Sequence, residues 1–421
     1  MIYPVVQALR QSQACADGLL DVLVLALPAA TGMLQSRGVK TLGFKDFLDP
    51  LQDVDALAWG EQLARKHHST TSGADYGDSV AYLGLCYQDL VIRYGEATAS
   101  DLMAKRGRQA FSPLTVMARI FDNLKPDFVV TTNSPRSEAA ALAVANQRGL
   151  GSLAMTDLFT GLGDYLIAAQ NITFLNETAR DMFVADGLVD AAISNFFCTG
   201  NPAFDRIKVP TQDVDEAWMA RHFPLVGNRK TVLHADMPAW WDANFKCSHF
   251  KTETETLAEL EACYNAAIAN GCAYLVRPHP SQDRALYEDW LVDRTDAFLA
   301  ADCDLHELLA NTDLLLARTT TVALEAALLH RRVLQLESTM HTDLPLAAMG
   351  VAWGSRCMAD LHQEIGHALG DEAGFAKVLA QIIRVLPTEP AALKIAEIIL
   401  NKLHLSCGLH IGAMNERPRQ V

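Results

Sequence analysis

The segment 313–337 constrains the fold of this chain more than any other stretch. Its apolar run at 314–317 leads into three hydroxyl residues, Thr319, Thr320 and Thr321. An apolar-periodic helix starts there, and a second apolar run at 333–336 follows. The spacing predicts a strand–turn–helix–strand unit, hence a parallel α/β layer with the turn at a helix N-terminus. Unpaired N–H groups and the helix dipole make such a turn receptive to an anion. Glu325 falls one helical turn beyond Thr321 on the same face, where a carboxylate suits vicinal hydroxyls such as those of a ribose. Threonines before a helix are also ordinary N-caps. The anion reading gains from the upstream strand at 273–276, which ends in Arg277-Pro278-His279-Pro280. Arg277 and His279 suit a phosphate, and the prolines stop further sheet pairing. Two polar strand ends in one α/β unit point to one ligand crevice.

A chain of 421 residues is too long for one ordinary core, so two domains are expected. Its net charge of −15 excludes broad binding to nucleic acid or to an anionic membrane, while a single nucleotide needs only a local positive field. No apolar run approaches the ~18 residues needed to span a bilayer; peripheral membrane contact is left open. Nine cysteines, with no Cys-x-x-Cys pair and no signal peptide, predict reduced thiols and a cytoplasmic protein. Thirteen histidines lack paired ligand spacing, so no metal and no cofactor are expected. Three Asp-x-Asp matches, at Asp53, Asp213 and Asp302, show how little that pattern selects in an acidic chain.

Two β/α alternations are legible. The first has strands at 21–26, 41–44, 127–131, 152–155 and 172–175, with mostly helical sequence over 50–125. The second has strands at 231–234 and 273–276 plus the 313–337 unit, with helices at 252–270, 359–369 and 373–385. Pro387 and Pro390 precede a last helix, 391–405, expected to cross back onto the first domain. The domains expected are 1–204, 205–387 and 388–421, the last being that helix and its tail. The chain opens on an amphipathic helix at 1–10. Either the first domain begins there, or its opening strand and loop precede this sequence; the second reading is favoured.

Four segments resemble the GT-B superfamily, in particular UDP-N-acetylglucosamine 2-epimerases, CDP-glycerol glycerophosphotransferases and related sugar transferases. They are Thr199-Gly200-Asn201-Pro202 between the two alternations, the His-Pro strand end at His279, the 319–326 helix motif with Glu325, and the first helix. The resemblance implies two Rossmann-like domains facing each other across a cleft, with the second domain holding a nucleotide-sugar and the first the acceptor. On that footing Arg277, Arg318, Thr319, Thr320, Thr321, Glu325 and His234 bind the donor nucleotide. His279 stabilises the departing diphosphate, and Ser134 and Arg136 contact the acceptor. Asp157 is the candidate base, with Asp164 behind it; Asp236 is a turn acid or a donor-side group. Trp240 and Trp241 stack on a base or sugar, or simply pack.

One departure bears on the chemistry. The epimerases carry an H-x-E-x-G-x-R type segment where this chain reads 152–159, keeping a single acid, Asp157. Elimination and re-addition of a nucleotide calls for several acids. The favoured reading is therefore a metal-independent glycosyltransferase, cytoplasmic and bacterial, serving surface polysaccharide or glycoconjugate assembly with a saccharide or lipid-linked acceptor. A nucleotide-sugar epimerase or hydrolase and a non-catalytic nucleotide-sugar-binding protein are the alternatives.

Overall fold

The computed structural model describes residues 1–49, 51–68, 74–132, 135–157, 159, 165–210, 214–237, 252–280, 282–318, 320–337, 344–387 and 389–405. Ser134, Asp164, Thr319, Trp240 and Trp241 lie outside them. The chain forms two compact units, one from Met1–Ala203 together with the chain from Glu389 on, the other Phe204–Thr388. Each is α/β and built on a parallel sheet.

The first unit opens with α1 (Ile2–Arg10), whose Val5, Val6, Ala8 and Leu9 are buried, and α2 (Gln13–Ala16), capped by the Ser12 hydroxyl. Then come α3 (Pro28–Ser36), α4 (Val54–His67), α5 (Tyr76–Tyr94), α6 (Glu96–Arg106) and α7 (Leu114–Leu124). The sheet follows as β1 (Phe128–Thr132), α8 (Ser137–Gln147), β2 (Gly151–Met155), β3 (Asn171–Phe174), α9 (Glu177–Ala185) and β4 (Asn195–Cys198). Among the described residues its order is β1-β2-β3-β4, parallel throughout. The segments 21–26 and 41–44 are not the strands expected from their apolar character: they share one parallel bridge, Leu25 to Leu42. Pro28 opens the next helix directly after the first, and Gly43 starts a 3-10 turn at the end of the second, leaving length for one bridge only.

Helices α4 and α5 touch backbone to backbone. A Cβ on Gly84 would lie 2.0 Å from the Ala56 carbonyl oxygen, and one on Gly60 would lie 2.2 Å from that of Val80. Glycine inside a helix costs about 1 kcal/mol relative to alanine, so the close approach is what holds glycine at both places. Gly84→Ala is therefore expected to destabilise by about 1–3 kcal/mol despite the gain in propensity, because backbone atoms cannot rotate aside. A lower urea midpoint at unchanged slope is the readout; a more stable variant would show that the helices can part without cost.

The second unit begins with α10 (Glu216–His222), β5 (Thr231–Ala235), α11 (Glu253–Ala269), β6 (Ala273–Arg277), α12 (Arg284–Leu291) and β7 (Ala297–Leu299). It continues with α13 (Leu305–Ala310), β8 (Leu314–Ala317), α14 (Thr321–Leu328), β9 (Arg332–Leu336), β10 (Trp353–Ser355), α15 (Leu361–Gly370) and α16 (Glu372–Val385). The strands run parallel in the order β10-β9-β8-β5-β6-β7. Successive strands thus add on one side of β5 as far as β7, and the chain then returns to build β8 to β10 on its other side. That reversal makes a switch point at the C-terminal ends of β5 and β8, where open α/β sheets hold ligands.

The last helix, α17 (Ala391–Lys402), belongs to the first unit. Its Ala392, Ile395, Ala396, Ile399 and Leu400 share a core with Val5, Ala8 and Leu9 of α1 and with Leu153 and Met155 of β2. The opposite face of that sheet is covered by α5, α7 and α8, through a cluster that includes Val129, Tyr82, Ile120 and Ala140. A parallel sheet needs both faces covered, and here the first and last helices of the described chain supply one of the two covers.

Candidate functional site

The parallel register sets His234 of β5 level with Val276 of β6 and Leu316 of β8, so Asp236, Arg277 and Arg318 emerge together at the strand ends. His234 is buried. Its Nδ1 lies 2.7 Å from the Tyr274 hydroxyl, and its Nε2 lies 3.4 Å from Glu259 Oε1. Burial pushes the Tyr274 phenol far up, so it stays protonated. Glu259, from α11, takes the Arg318 guanidinium through Nε at 2.6 Å and through a second nitrogen. The remaining terminal nitrogen of Arg318 reaches the Leu336 carbonyl at 3.4 Å. Arg318 is thus committed to a buried carboxylate of its own unit. Sequence reading missed Glu259, because it reaches the site from the middle of a helix with no motif around it.

Asp236 accepts from the Met237 backbone N–H and from the Tyr287 hydroxyl, 2.7 Å away. Tyr287 also lies 2.6 Å from Gln282 Oε1, which accepts from the backbone N–H of His279 at 3.1 Å. Burial lowers the His279 pKa, with the Asp236 charge opposing it, so the imidazole is neutral at pH 7. His234, Asp236 and Glu259 offer ligand atoms all within 4.8 Å of one another, the one such group among the described residues. One imidazole and two carboxylates suit a divalent transition metal. Here, though, the Arg318 guanidinium already balances Glu259.

At the tip of α14, Thr320 is the N-cap and its hydroxyl accepts from the Val322 N–H; Thr321 is the first helical residue. Glu325, one turn on, places Oε2 2.6 Å from His306 Nε2. His306 sits in the first turn of α13, whose start is fixed by Asp304 accepting from the His306 and Glu307 N–H groups. Arg277 does not point its charge at an open strand end. One of its terminal nitrogens donates to the carbonyls of Ala300 and Cys303, at 2.8 and 3.0 Å, which pins the loop leading into α13. A chain of contacts therefore runs from Arg277 through that loop to His306 and Glu325. His306 gave no signal in sequence, since a lone histidine on a helix most often packs.

In the first unit, Asp157 stands two residues past β2, and the Asn201 side-chain amide donates to its backbone carbonyl at 3.0 Å. The Thr-Gly-Asn-Pro segment is thereby fastened to the loop that carries the candidate base. Burial raises the Tyr165 phenol pKa, and the charges of Glu138 and Asp157 raise it further, so both carboxylates act on this ring. Glu138 is held by the Thr132 hydroxyl at 2.5 Å. Sequence reading passed over this second acid because it looks like an ordinary first-turn glutamate. Arg136 precedes α8 in the left-handed region, with φ of 78°.

No family model matches the chain, and no curated protein matches it in sequence. Solved structures do match in fold. The S. aureus MnaA–UDP co-structure superposes with a TM-score of 0.56 at 14% identity, covering 96% of this chain and 93% of the other. A UDP-N-acetylglucosamine 2-epimerase gives a TM-score of 0.55 at 14% identity, covering 100% of this chain and 95% of the other. With its two parallel-sheet α/β units and this full-length likeness, the chain has the fold of the GT-B superfamily.

Proposed function

We propose that this chain is a nucleotide-sugar enzyme, a GT-B glycosyltransferase-like protein that moves a sugar from a nucleoside diphosphate to an acceptor. One observation carries the reading: the N-terminus of α14, with Thr320 and Thr321, stands at the switch point between β8 and β5. A diphosphate there meets the helix dipole and unpaired N–H groups. Glu325, oriented by His306, accepts from the ribose hydroxyls, and Thr319 adds a donor. Arg318 and His234 support the site from beneath through Glu259. Neutral His279 donates to the leaving diphosphate, where charge grows. In the first unit Asp157 takes the acceptor proton, and Ser134 and Arg136 hold the acceptor. The protein serves bacterial surface polysaccharide or glycoconjugate assembly from the cytoplasm, without a metal.

A second reading, an epimerase or hydrolase of nucleotide-sugars, draws support from Glu138. With Asp157 it supplies two acids around Tyr165, and elimination and re-addition need more than one such group. Incubation with UDP-, CDP- and GDP-sugars without an acceptor separates the two. Binding without turnover fits the transferase, free epimer or hydrolysed sugar fits the second reading, and no binding of any nucleotide sinks both. Glu325→Ala is expected to weaken nucleoside diphosphate binding by about 1–3 kcal/mol in titration calorimetry, through lost ribose hydrogen bonds. An unchanged affinity would remove Glu325 from the site.

A further inference from the structure

The N-terminus of α8 gathers polar groups of which the proposed reaction uses only Arg136. Thr131 Oγ1, Tyr82 Oη, Arg136 Nε and Ser137 Oγ are each shut off from solvent and make no hydrogen bond of good geometry, although Tyr82, Ser137 and Cys86 lie close enough to interact. Thr131, Tyr82 and Ser137 are only 5%, 5% and 4% exposed. They share one neighbourhood. The Arg136 charge and the Ser137 hydroxyl both act on the Tyr82 phenol and on the buried Cys86 thiol, and the Arg108 charge reaches Tyr82 too. Thr131 lies on the same face of β1 as Val129, which packs in one cluster with Tyr82, Cys86 and Ala140.

No side chain caps α8, an 11-residue helix. Two nearby acids are engaged elsewhere, and a third, Asp78, one turn before Tyr82 on α5, pairs with Lys45 through Oδ2. Glu138 takes the Thr132 hydroxyl, and Asp89 takes the Leu114 and Thr115 N–H groups and the Arg93 guanidinium. Three hydroxyls, a guanidinium N–H and a helix N-terminus are all able to donate. A guest that accepts from all of them and carries negative charge satisfies every one.

We infer that the first unit holds an oxyanion, a phosphate or carboxylate group, between Tyr82, Thr131, Arg136, Ser137 and the first turn of α8. In a transferase this is the anionic group of the acceptor. The site itself does not depend on the nucleotide reading. Tyr82 closes it from α5, resting edge-on against Phe44 and Phe111 at ring centroid distances of 5.1 and 6.1 Å. Those contacts let Tyr82→Phe remove the hydroxyl and keep the ring.

The test titrates the full chain with inorganic phosphate and, separately, with acetate at constant ionic strength, following the melting temperature, with UDP binding measured on the same samples. A saturable rise with either anion is expected, and the better anion names the group. Tyr82→Phe should weaken it about tenfold and Arg136→Gln at least as much, both leaving UDP affinity unchanged. If Arg136→Gln does not fold, Tyr82→Phe decides alone. No saturable response to either anion, or a response that Tyr82→Phe leaves intact, overturns the site. Failure of UDP, CDP and GDP alike to bind the unsubstituted chain defeats the nucleotide reading and leaves this one standing.

Discussion

Arg318→Ala is expected to destabilise the second unit by about 3–5 kcal/mol. The side chains of Arg318 and Glu259 are 18% and 5% exposed, so the pair is screened by protein rather than water. Removing the guanidinium strands a carboxylate in the core beside His234, with Tyr274 and Tyr287 packed nearby. The loss measures that stranded charge rather than the net worth of the pair. Replacing both partners by apolar residues of similar volume, Arg318→Met with Glu259→Leu, should recover most of it. Urea unfolding of the three proteins is the measurement. If Arg318→Ala costs less than about 1 kcal/mol, as an exposed pair would, the network is solvated and its structural role falls.

The second large effect is on turnover. Under the proposed transfer reaction, His279→Ala is expected to lower kcat by about a hundredfold while changing nucleotide affinity little, because the charge it would stabilise grows only as a diphosphate departs. Burial keeps the ring neutral near pH 7, so what it supplies is an N–H donor rather than a cation. His279→Gln, which retains a donor, should keep more activity than His279→Ala. Equal and small changes in kcat and affinity would place the chemistry elsewhere. Paired with Glu325→Ala, which should act on binding, the two substitutions separate the leaving-group end of the site from the nucleoside end.

What the sequence revealed and what it hid follow from the range of each interaction. The 313–337 unit, β5, β6 and helix α11 depend on neighbours a few residues apart, and their pattern announced them. The three-residue edge strands β7 and β10 went unseen, since so short a run has no period to read. The apolar segment at 21–26 resembled a buried strand, yet finds only one bridge. At the candidate site, Thr320 and His279 stood out because they sit where elements begin or end, and Glu325 because it lies one turn into the helix that Thr320 caps. Glu259, Tyr274, Tyr287 and His306 did not, for each is an ordinary residue inside an element until folding brings it to a partner. The positions of Arg277 and Arg318 were legible from their place after strands. Their partners, two carbonyl oxygens and a glutamate 59 positions away, were not.

The pairing of α1 with α17 bears on how the protein is made. Every other element of the first unit emerges from the ribosome before Phe204, but the helix that covers α1 and β2 waits for the whole second unit. At about 5–20 residues per second, translation from Ala203 to Ala391 takes about 10–40 s, far longer than a helix needs to form. Through that interval Val5, Leu9, Leu153 and Met155 present an apolar face with no cover, while the second unit has all its strands and can close on itself. The nascent chain therefore completes its second unit first. The uncovered seam is the surface a chaperone would meet, and the point from which synthesis stalled before α17 would begin to aggregate.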